Sequence, residues 1–163
     1  MATIATLYKS GEVEGNSAYT HHPGGMFVRK TVYSSPVFVV NDVVQLVDVF
    51  AGECLHAVRL KSTDIDTNGS PAIVLDVGYG NSTTETASTS DDIIDGSVIG
   101  QAGVVGTDAL ASVFSRDDDA GTAFAAGPLE FTSDDTIDLH VQVAPATGVV
   151  GTITFYAYLS KGG

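Results

Sequence analysis

The chain has 163 residues, 44% of them hydrophobic and 17% charged, and this composition excludes a disordered chain of the kind that lacks apolar residues. Its net charge of −13 repels phosphate backbones, so we expect no direct nucleic-acid partner. No apolar run approaches the roughly 20 residues that span a bilayer, so we expect no membrane partner. Eighteen glycines, with abundant Val, Thr, Ser and Asp, favour strands and turns over helices.

The excess negative charge lies in one part of the chain. Residues 1–61 carry five basic and five acidic side chains, which cancel. Residues 62–163 carry fifteen acidic side chains against only Arg116 and Lys161. The first part is therefore the one that can approach another acidic surface. Because the N-terminus lacks the basic start and apolar core of a signal peptide, we expect synthesis in the cytoplasm.

Residues 1–36 are interrupted by Gly and Pro and show no hydrophobic period, which predicts an extended N-terminal arm with one short strand near residues 27–32. Such an arm cannot form its own core. It either lies across the domain, docks onto a neighbour, or is a partly disordered terminus. Residues 37–163 then form the folded domain.

Regular strand signals begin in this second part. An apolar run covers residues 43–50, and residues 53–61 alternate, with His56 placed on the apolar side together with Cys54, Val58 and Leu60. The single cysteine, Cys54, excludes an intramolecular disulfide and is predicted to be a small buried apolar residue. Residues 72–79 alternate again, and Asn68-Gly69 between the two runs predicts a hairpin.

A long Ser, Thr, Gly and Asp-rich loop is predicted over residues 80–107. The chain closes with two further alternating runs, residues 136–143 and 152–159, joined by a Pro/Gly segment that predicts an antiparallel hairpin. In the first run Ile137, Leu139 and Val141 form a dry face and the residues between them a wet one. Seven or eight strands separated by turns predict an all-β fold, an antiparallel β-sandwich of jelly-roll-like type with an extended N-terminal arm.

Several polar clusters are candidate sites. Asp64, Asp66 and Asn68 match the first half of a calcium loop, but Leu75 stands where the bidentate Glu is required, and a polar hairpin tip is the simpler interpretation. The histidines are scattered along the chain, at His21, His22, His56 and His140. The acidic runs, which are residues 91–92, 117–119 and 134–135, fall at predicted turns. We therefore predict no catalytic residue, no metal site and no cofactor.

Tyr156 and Tyr158 lie opposite the apolar face of the last strand, in line with Thr152 and Thr154. A sheet face carrying Tyr and Thr can form a subunit interface or stack on sugars. The absence of Trp favours the interface.

The run LDVGYG at residues 75–80, the Ser/Thr/Asp loop after it and the I-x-L-x-V pattern at residues 137–141 resemble head decoration (cement) proteins, small virion structural proteins of tailed bacteriophages. The resemblance covers about residues 43–160. It implies a non-enzymatic β-sandwich that binds the outer surface of the capsid, often as a trimer, and stabilises it by bridging major capsid subunits. The near-neutral arm would then contact the shell through four residues, Phe27, Arg29, Lys30 and Tyr33.

Two other classes of function compete with this one. The first is a carbohydrate- or receptor-binding β-sandwich module of a virion tail or fibre, which requires an exposed aromatic platform or a calcium ion. The second is an enzyme of β-sandwich or cupin type, which requires converging His and Glu ligands. The sequence favours the decoration protein, then the binding module, then the enzyme.

Overall fold

A computed structural model describes residues 3–4, 25–80, 91–101 and 127–161. The described residues form nine strands: β1 (Thr3–Ile4), β2 (Met26–Ser35), β3 (Val43–Val49), β4 (Glu53–Ser62), β5 (Val74–Tyr79), β6 (Ile94–Ser97), β7 (Leu129–Glu130), β8 (Asp135–Val143) and β9 (Gly151–Lys161). No helix long and apolar enough to span a membrane occurs in this part of the chain. The predicted long loop over residues 80–107 falls largely outside the described residues, although its described part contains β6.

The strands form two sheets. One sheet has the order β1-β3-β8-β5-β6, and the other has the order β2-β9-β4-β7. All pairs are antiparallel except β1 with β3, where Thr3 lies beside Val43 and Ile4 beside Val44. The predicted antiparallel β-sandwich is confirmed.

One continuous apolar core lies between the sheets. The five-stranded sheet contributes Val44, Leu75, Leu139 and their neighbours, and the four-stranded sheet contributes Leu60, Phe155 and theirs. Each fully buried side chain of this size contributes roughly 1.5–3 kcal/mol by leaving water. The alternation of the sequence thus supplies the inner face of each layer.

The strand predicted near residues 27–32 is present and longer than expected. All ten residues of β2 pair with β9, from Met26 opposite Ser160 to Ser35 opposite Gly151. Odd-numbered residues after Met26 face the core and even-numbered ones face outward. This segment therefore supplies a full strand of the four-stranded sheet.

The two predicted hairpins are wrong. β8 and β9 belong to different sheets, and so do β4 and β5. The same holds for β3 and β4, which follow one another in the chain. Each of these connections leads from one sheet of the sandwich to the other. An alternating pattern identifies a strand with one buried face, but it carries no information about which strand lies beside it.

The predicted faces of β4 also need correction. A β-bulge between Leu55 and Ala57 inserts His56, so that Cys54 and His56 lie on the outer side while Val58 and Leu60 lie in the core. Cys54 is half-buried, not buried as predicted, and His56 is exposed. The wet face predicted for β8 is likewise partly dry, because this strand is central in its sheet and Thr136 and Asp138 are buried.

Candidate interaction surfaces

Asp66 is, together with Asp138, one of two carboxylates in the described residues that are 0% exposed. It lies in the connection between β4 and β5, and the segment between β8 and β9 folds against it. Five backbone N–H groups donate to its two oxygens: those of Ala72 (2.7 Å), Ala146 (2.9 Å), Thr147 (2.9 Å), Ile73 (3.1 Å) and Asn68 (3.4 Å). One side chain therefore joins two loops that are about 80 residues apart in the sequence.

This arrangement explains why the carboxylate stays ionised. Burial by itself raises the pKa of Asp66, but the N–H groups of Thr147, Ala72, Ala146 and Ile73 outweigh it and hold the pKa well below its ordinary value. The remaining oxygens of the calcium-like motif accept N–H groups as well, since Asp64 binds the amide of Asp66 and Asn68 that of Ser70. A ring of N–H donors repels a cation. The motif therefore joins two loops through hydrogen bonds. Its N–H donors stabilise the Asp66 carboxylate and do not fit Ca²⁺.

The two histidines in the described residues, His56 and His140, do not converge on a common site. His56 is exposed and hydrogen-bonds Ser160 (2.8 Å), whereas His140 is half-buried on the five-stranded sheet, opposite Asp76. His21 and His22 lie outside the described residues, as do residues 117–119. Within the described ranges no three His, Cys, Asp or Glu side chains are placed to hold a metal ion.

Asp76 is a second buried carboxylate, on β5. Burial raises its pKa, and the nearby Asp95 and Asp91 raise it further, while the N–H of Gly96 (2.8 Å) and His140 act in the opposite direction. Such a group can mark a catalytic acid. Here it serves to anchor β6 to β5, because its acceptor oxygen holds the Gly96 amide.

Two of the four predicted capsid-contact residues are buried. Arg29 makes two hydrogen bonds to Glu53 (2.5 and 2.7 Å), and Tyr33 packs in the core beside Phe38 with ring centroids 6.5 Å apart. Phe27 is half-buried against the core, where its ring lies 5.2 Å from the Arg29 guanidinium. Lys30 faces outward. Whether any of the four contacts a capsid subunit stays a prediction.

Comparison with known proteins gives similarity in fold alone. No family model matches the chain, and neither does any curated protein. Among solved structures, a chain in the capsid of Ralstonia phage GP4 superimposes with a TM-score of 0.70 at 19% identity, covering 99% of both chains. A chain of the cyanophage Pam1 capsid asymmetric unit superimposes with a TM-score of 0.61 at 18% identity, covering 91% of this chain and 94% of that one. The fold is one found in phage capsids.

The outer face of the four-stranded sheet carries a group of cations. Lys30 on β2, Tyr156 on β9 and Arg59 on β4 lie side by side in one cross-strand row. Both cations lie near the same ring, with Lys30 Nζ 5.8 Å and Arg59 Cζ 6.0 Å from the Tyr156 centroid. Lys61 stands in the next row, opposite Thr154. We call Lys30, Arg59, Lys61 and Tyr156 the basic face.

The sequence gives part of this surface. Tyr156, Tyr158, Thr152 and Thr154 share one face of β9, as predicted. The sequence predicts Lys30 as a contact residue but not its grouping with Arg59 and Lys61, because these side chains belong to two strands that are far apart in the sequence. Their outward positions are set by the even-numbered alternation of β2 and by the bulge in β4. Only the pairing of both strands with β9 brings them together.

One end of the sandwich carries two segments rich in exposed valine, next to the loop that contains Asp64 and Asp66. Five exposed valines lie where β2 and β8 end and β3 and β9 begin: Val37, Val39, Val40, Val143 and Val150. Residues 34–41 and 142–152 contain no charged side chain. The two segments are in contact, since the amide of Asn41 donates to the carbonyl of Val141 (2.9 Å). We call this surface the uncharged end.

Proposed function

We propose that this chain is a phage capsid decoration (cement) protein, a non-enzymatic virion component that binds the outer surface of the head. It would stabilise the shell by bridging major capsid subunits. The observation that carries the proposal is the likeness in fold along 99% of the chain to a chain in the capsid of Ralstonia phage GP4, at a TM-score of 0.70. The second capsid chain, from cyanophage Pam1, supports the same role.

The surface chemistry agrees with a binding role. The buried carboxylates Asp66 and Asp76 hold backbone amides, so they serve the fold. The uncharged end and the basic face are surfaces suited to protein contacts in an otherwise acidic chain. On a shell, many identical weak contacts combine through multivalency. A trimer, made in the host cytoplasm and seated at threefold positions, would engage several capsid subunits at once.

The predicted shell contacts divide into two groups. Three of them, Arg29, Tyr33 and Phe27, are buried or packed against the core. They would contribute to shell binding by holding β2 in position. Lys30 lies at the surface and would make direct contact. The remaining part of the arm, residues 1–24, would add contacts of its own.

The test is co-sedimentation of the purified protein with undecorated capsids of the phage that encodes it. We expect the full chain to bind and a deletion of residues 1–24 to bind at least tenfold more weakly while keeping its melting temperature within a few degrees. That deletion leaves β2 and its pairing with β9 intact, and of the described strands it removes only the two-residue edge strand β1. A longer deletion of residues 1–36 should unfold the domain, because it removes Tyr33 from the core. Failure of the full chain to bind would reject the proposed function.

The second candidate is a carbohydrate- or receptor-binding module, favoured by the half-exposed Tyr156 and Tyr158 on one sheet face. Lys30 and Arg59 both lie near the Tyr156 ring, and they compete with a sugar for its face. A glycan array would identify this function by a saturable signal that Tyr156→Ala and Tyr158→Ala remove.

A further inference from the structure

We infer that Asn68 and Gly69 form a site of spontaneous covalent modification, where the Asn68 side chain loses ammonia in the folded protein and becomes aspartate or isoaspartate. The reaction needs no enzyme and no cofactor, and water is its only co-reactant. The inference does not depend on the proposed function, because it concerns the chemistry of one loop in the isolated protein.

The reaction is an attack of the main chain on its own side chain. The Gly69 nitrogen gives up its proton and forms a bond to Cγ of Asn68. The Cγ–Nδ2 bond then breaks, and Nδ2 leaves as ammonia after taking a proton from solvent. The product is a five-membered succinimide ring, in which the former main-chain nitrogen is bonded to two carbonyl groups. One water opens the ring at either carbonyl, so an amide and a water become a carboxylic acid and ammonia.

Gly69 is an accessible nucleophile. It is exposed, and a Cβ built on it would meet nothing within 4 Å. Glycine also has no side chain of its own to hinder the attack. In the part of the chain that the structure describes, no hydrogen bond engages the Gly69 N–H. The nitrogen can therefore lose its proton to solvent without breaking an existing contact.

The Asn68 side chain is held against its own main chain. Its Oδ1 accepts the N–H of Ser70 at 2.9 Å, which closes a turn whose ring contains the Gly69 nitrogen and keeps Cγ near it. When the nitrogen attacks, Oδ1 gains negative charge, and the Ser70 N–H already donates to it. Nδ2 donates to Thr147 Oγ1 at 2.9 Å. Because Thr147 is exposed, its hydroxyl can pass a proton from water to the leaving ammonia.

Asp95-Gly96 is a comparison site within the same chain, because aspartate before glycine can form the same succinimide by loss of water. Here the nucleophile is engaged, since the Gly96 N–H donates to the buried Asp76 carboxylate at 2.8 Å. Reaction at Asp95 requires local opening of this hydrogen bond. The fold therefore protects Asp95 and leaves Asn68 open to reaction.

The modification changes the loop that Asp66 joins to the connection between β8 and β9. It places a negative charge beside the ionised Asp66, whose carboxylate accepts the Asn68 N–H at 3.4 Å, and like charges repel. It also removes the Nδ2 donor that Thr147 accepts. Isoaspartate in addition lengthens the main chain by one methylene. The modified protein is therefore less stable, and it carries a new charge beside the uncharged end.

The experiment incubates the native full-length protein in neutral and in mildly alkaline buffer, next to a sample unfolded in urea. Mass spectrometry of proteolytic fragments detects the gain of one mass unit at position 68, and isoaspartyl methyltransferase labels isoaspartate at both sites. We expect native Asn68 to react, and to react faster in the alkaline buffer because the attacking nitrogen must lose its proton. Its native rate divided by its rate in urea should be at least tenfold higher than the same ratio for Asp95.

The matched variant is Gly69→Ala, whose Cβ meets no neighbour but hinders the attack. It should slow the reaction at Asn68 at least tenfold while the melting temperature stays close to that of the wild type. Asn68→Asp introduces one of the two products and should lower the melting temperature by about 2–4 °C.

Three results would overturn the inference: native Asn68 that stays intact while the sample in urea reacts, a Gly69→Ala protein that reacts at the wild-type rate, or equal protection of Asn68 and Asp95. An Asn68→Asp protein as stable as the wild type would overturn the expected loss of stability. None of these measurements involves capsids, so this inference and the proposed function fail independently.

Discussion

Arg29 on β2 and Glu53 at the start of β4 form a buried two-point ion pair between strands that are not neighbours in their sheet. Both side chains also hydrogen-bond residues outside these two strands. Arg29 also donates to the carbonyl of Asp48 on β3, in the opposite sheet, at 2.9 Å, and Glu53 accepts the amide of Phe50 at 3.0 Å. The guanidinium lies 5.0 Å from the Phe50 ring centroid. Both sheets and the turn between β3 and β4 thus meet at one ion pair.

Glu53→Gln should lower the free energy of unfolding by about 3–5 kcal/mol, because it leaves the Arg29 charge buried without its counterion. Urea denaturation measures the change. Lys61→Gln, at a half-exposed position, should stay within about 1 kcal/mol. The double variant Arg29→Met/Glu53→Leu should recover most of the loss, since neither charge then remains buried. A Glu53→Gln protein as stable as the wild type would contradict the importance of this pair.

Asp66→Asn should destabilise the protein by about 3 kcal/mol or more, because an amide group brings N–H donors against the backbone donors that the carboxylate accepts. Asp64→Asn is the control, since Asp64 accepts a single N–H at 3.1 Å, and it should cost about 1 kcal/mol. Thermal unfolding at pH 7 measures both variants.

The pH dependence of the stability is a second test of the role of Asp66. Its pKa is lower in the folded state than in the unfolded chain, where a value of about 3.9 is ordinary. The stabilisation is therefore complete above about pH 4 and is lost as the pH falls from there toward the folded-state pKa. Wild-type protein should lose stability over this acid range more steeply than Asp66→Asn does. Parallel pH profiles would refute the role of the ionised carboxylate.

Asp76→Asn should have the opposite effect and raise the melting temperature at pH 7 by about 2–4 °C. The pKa of Asp76 is raised by burial and by Asp95 and Asp91, so its ionised form costs stability above the folded-state pKa, and the cost is relieved as the pH falls. The amide oxygen of Asn can still accept the Gly96 N–H. Asp95→Asn should give a smaller increase. A decrease on Asp76→Asn would show that the charge itself is needed.

Gly151→Ala tests the junction between β9 and the loop before β5. A Cβ at this position would overlap the Ile65 side chain and lie 2.5 Å from Thr63 Oγ1. Ile65 is buried in the core, and Thr63 Oγ1 accepts the amide N–H of Thr152. We expect a loss of about 1–3 kcal/mol, as for other overpacked sites. Gly69→Ala is the matched control, because a Cβ there meets nothing within 4 Å, and its effect should stay within about 0.5 kcal/mol. Equal effects at both glycines would refute the crowding.

The sequence by itself determined the class of the fold. Period-two alternation in residues 136–143 and 152–159 marks strands with one buried face, because side chains of a strand point alternately to its two sides. The same alternation placed Ile137, Leu139 and Phe155 in the core, and all three are buried there. The composition and the negative net charge also follow from the sequence alone, because neither depends on tertiary contacts.

Only the tertiary structure decided which strands lie together. The last two strands belong to opposite sheets although a short Pro/Gly segment joins them, because pairing is chosen by the packing of the whole sandwich and not by the turn alone. The bulge that turned His56 outward has no local signature. In the sequence Asp66 resembles a calcium ligand. The structure shows that its carboxylate accepts the amides of Ala146 and Thr147, which are distant in the sequence. The basic face exists for the same reason: Lys30 and Arg59 become neighbours only because β9 lies between their strands.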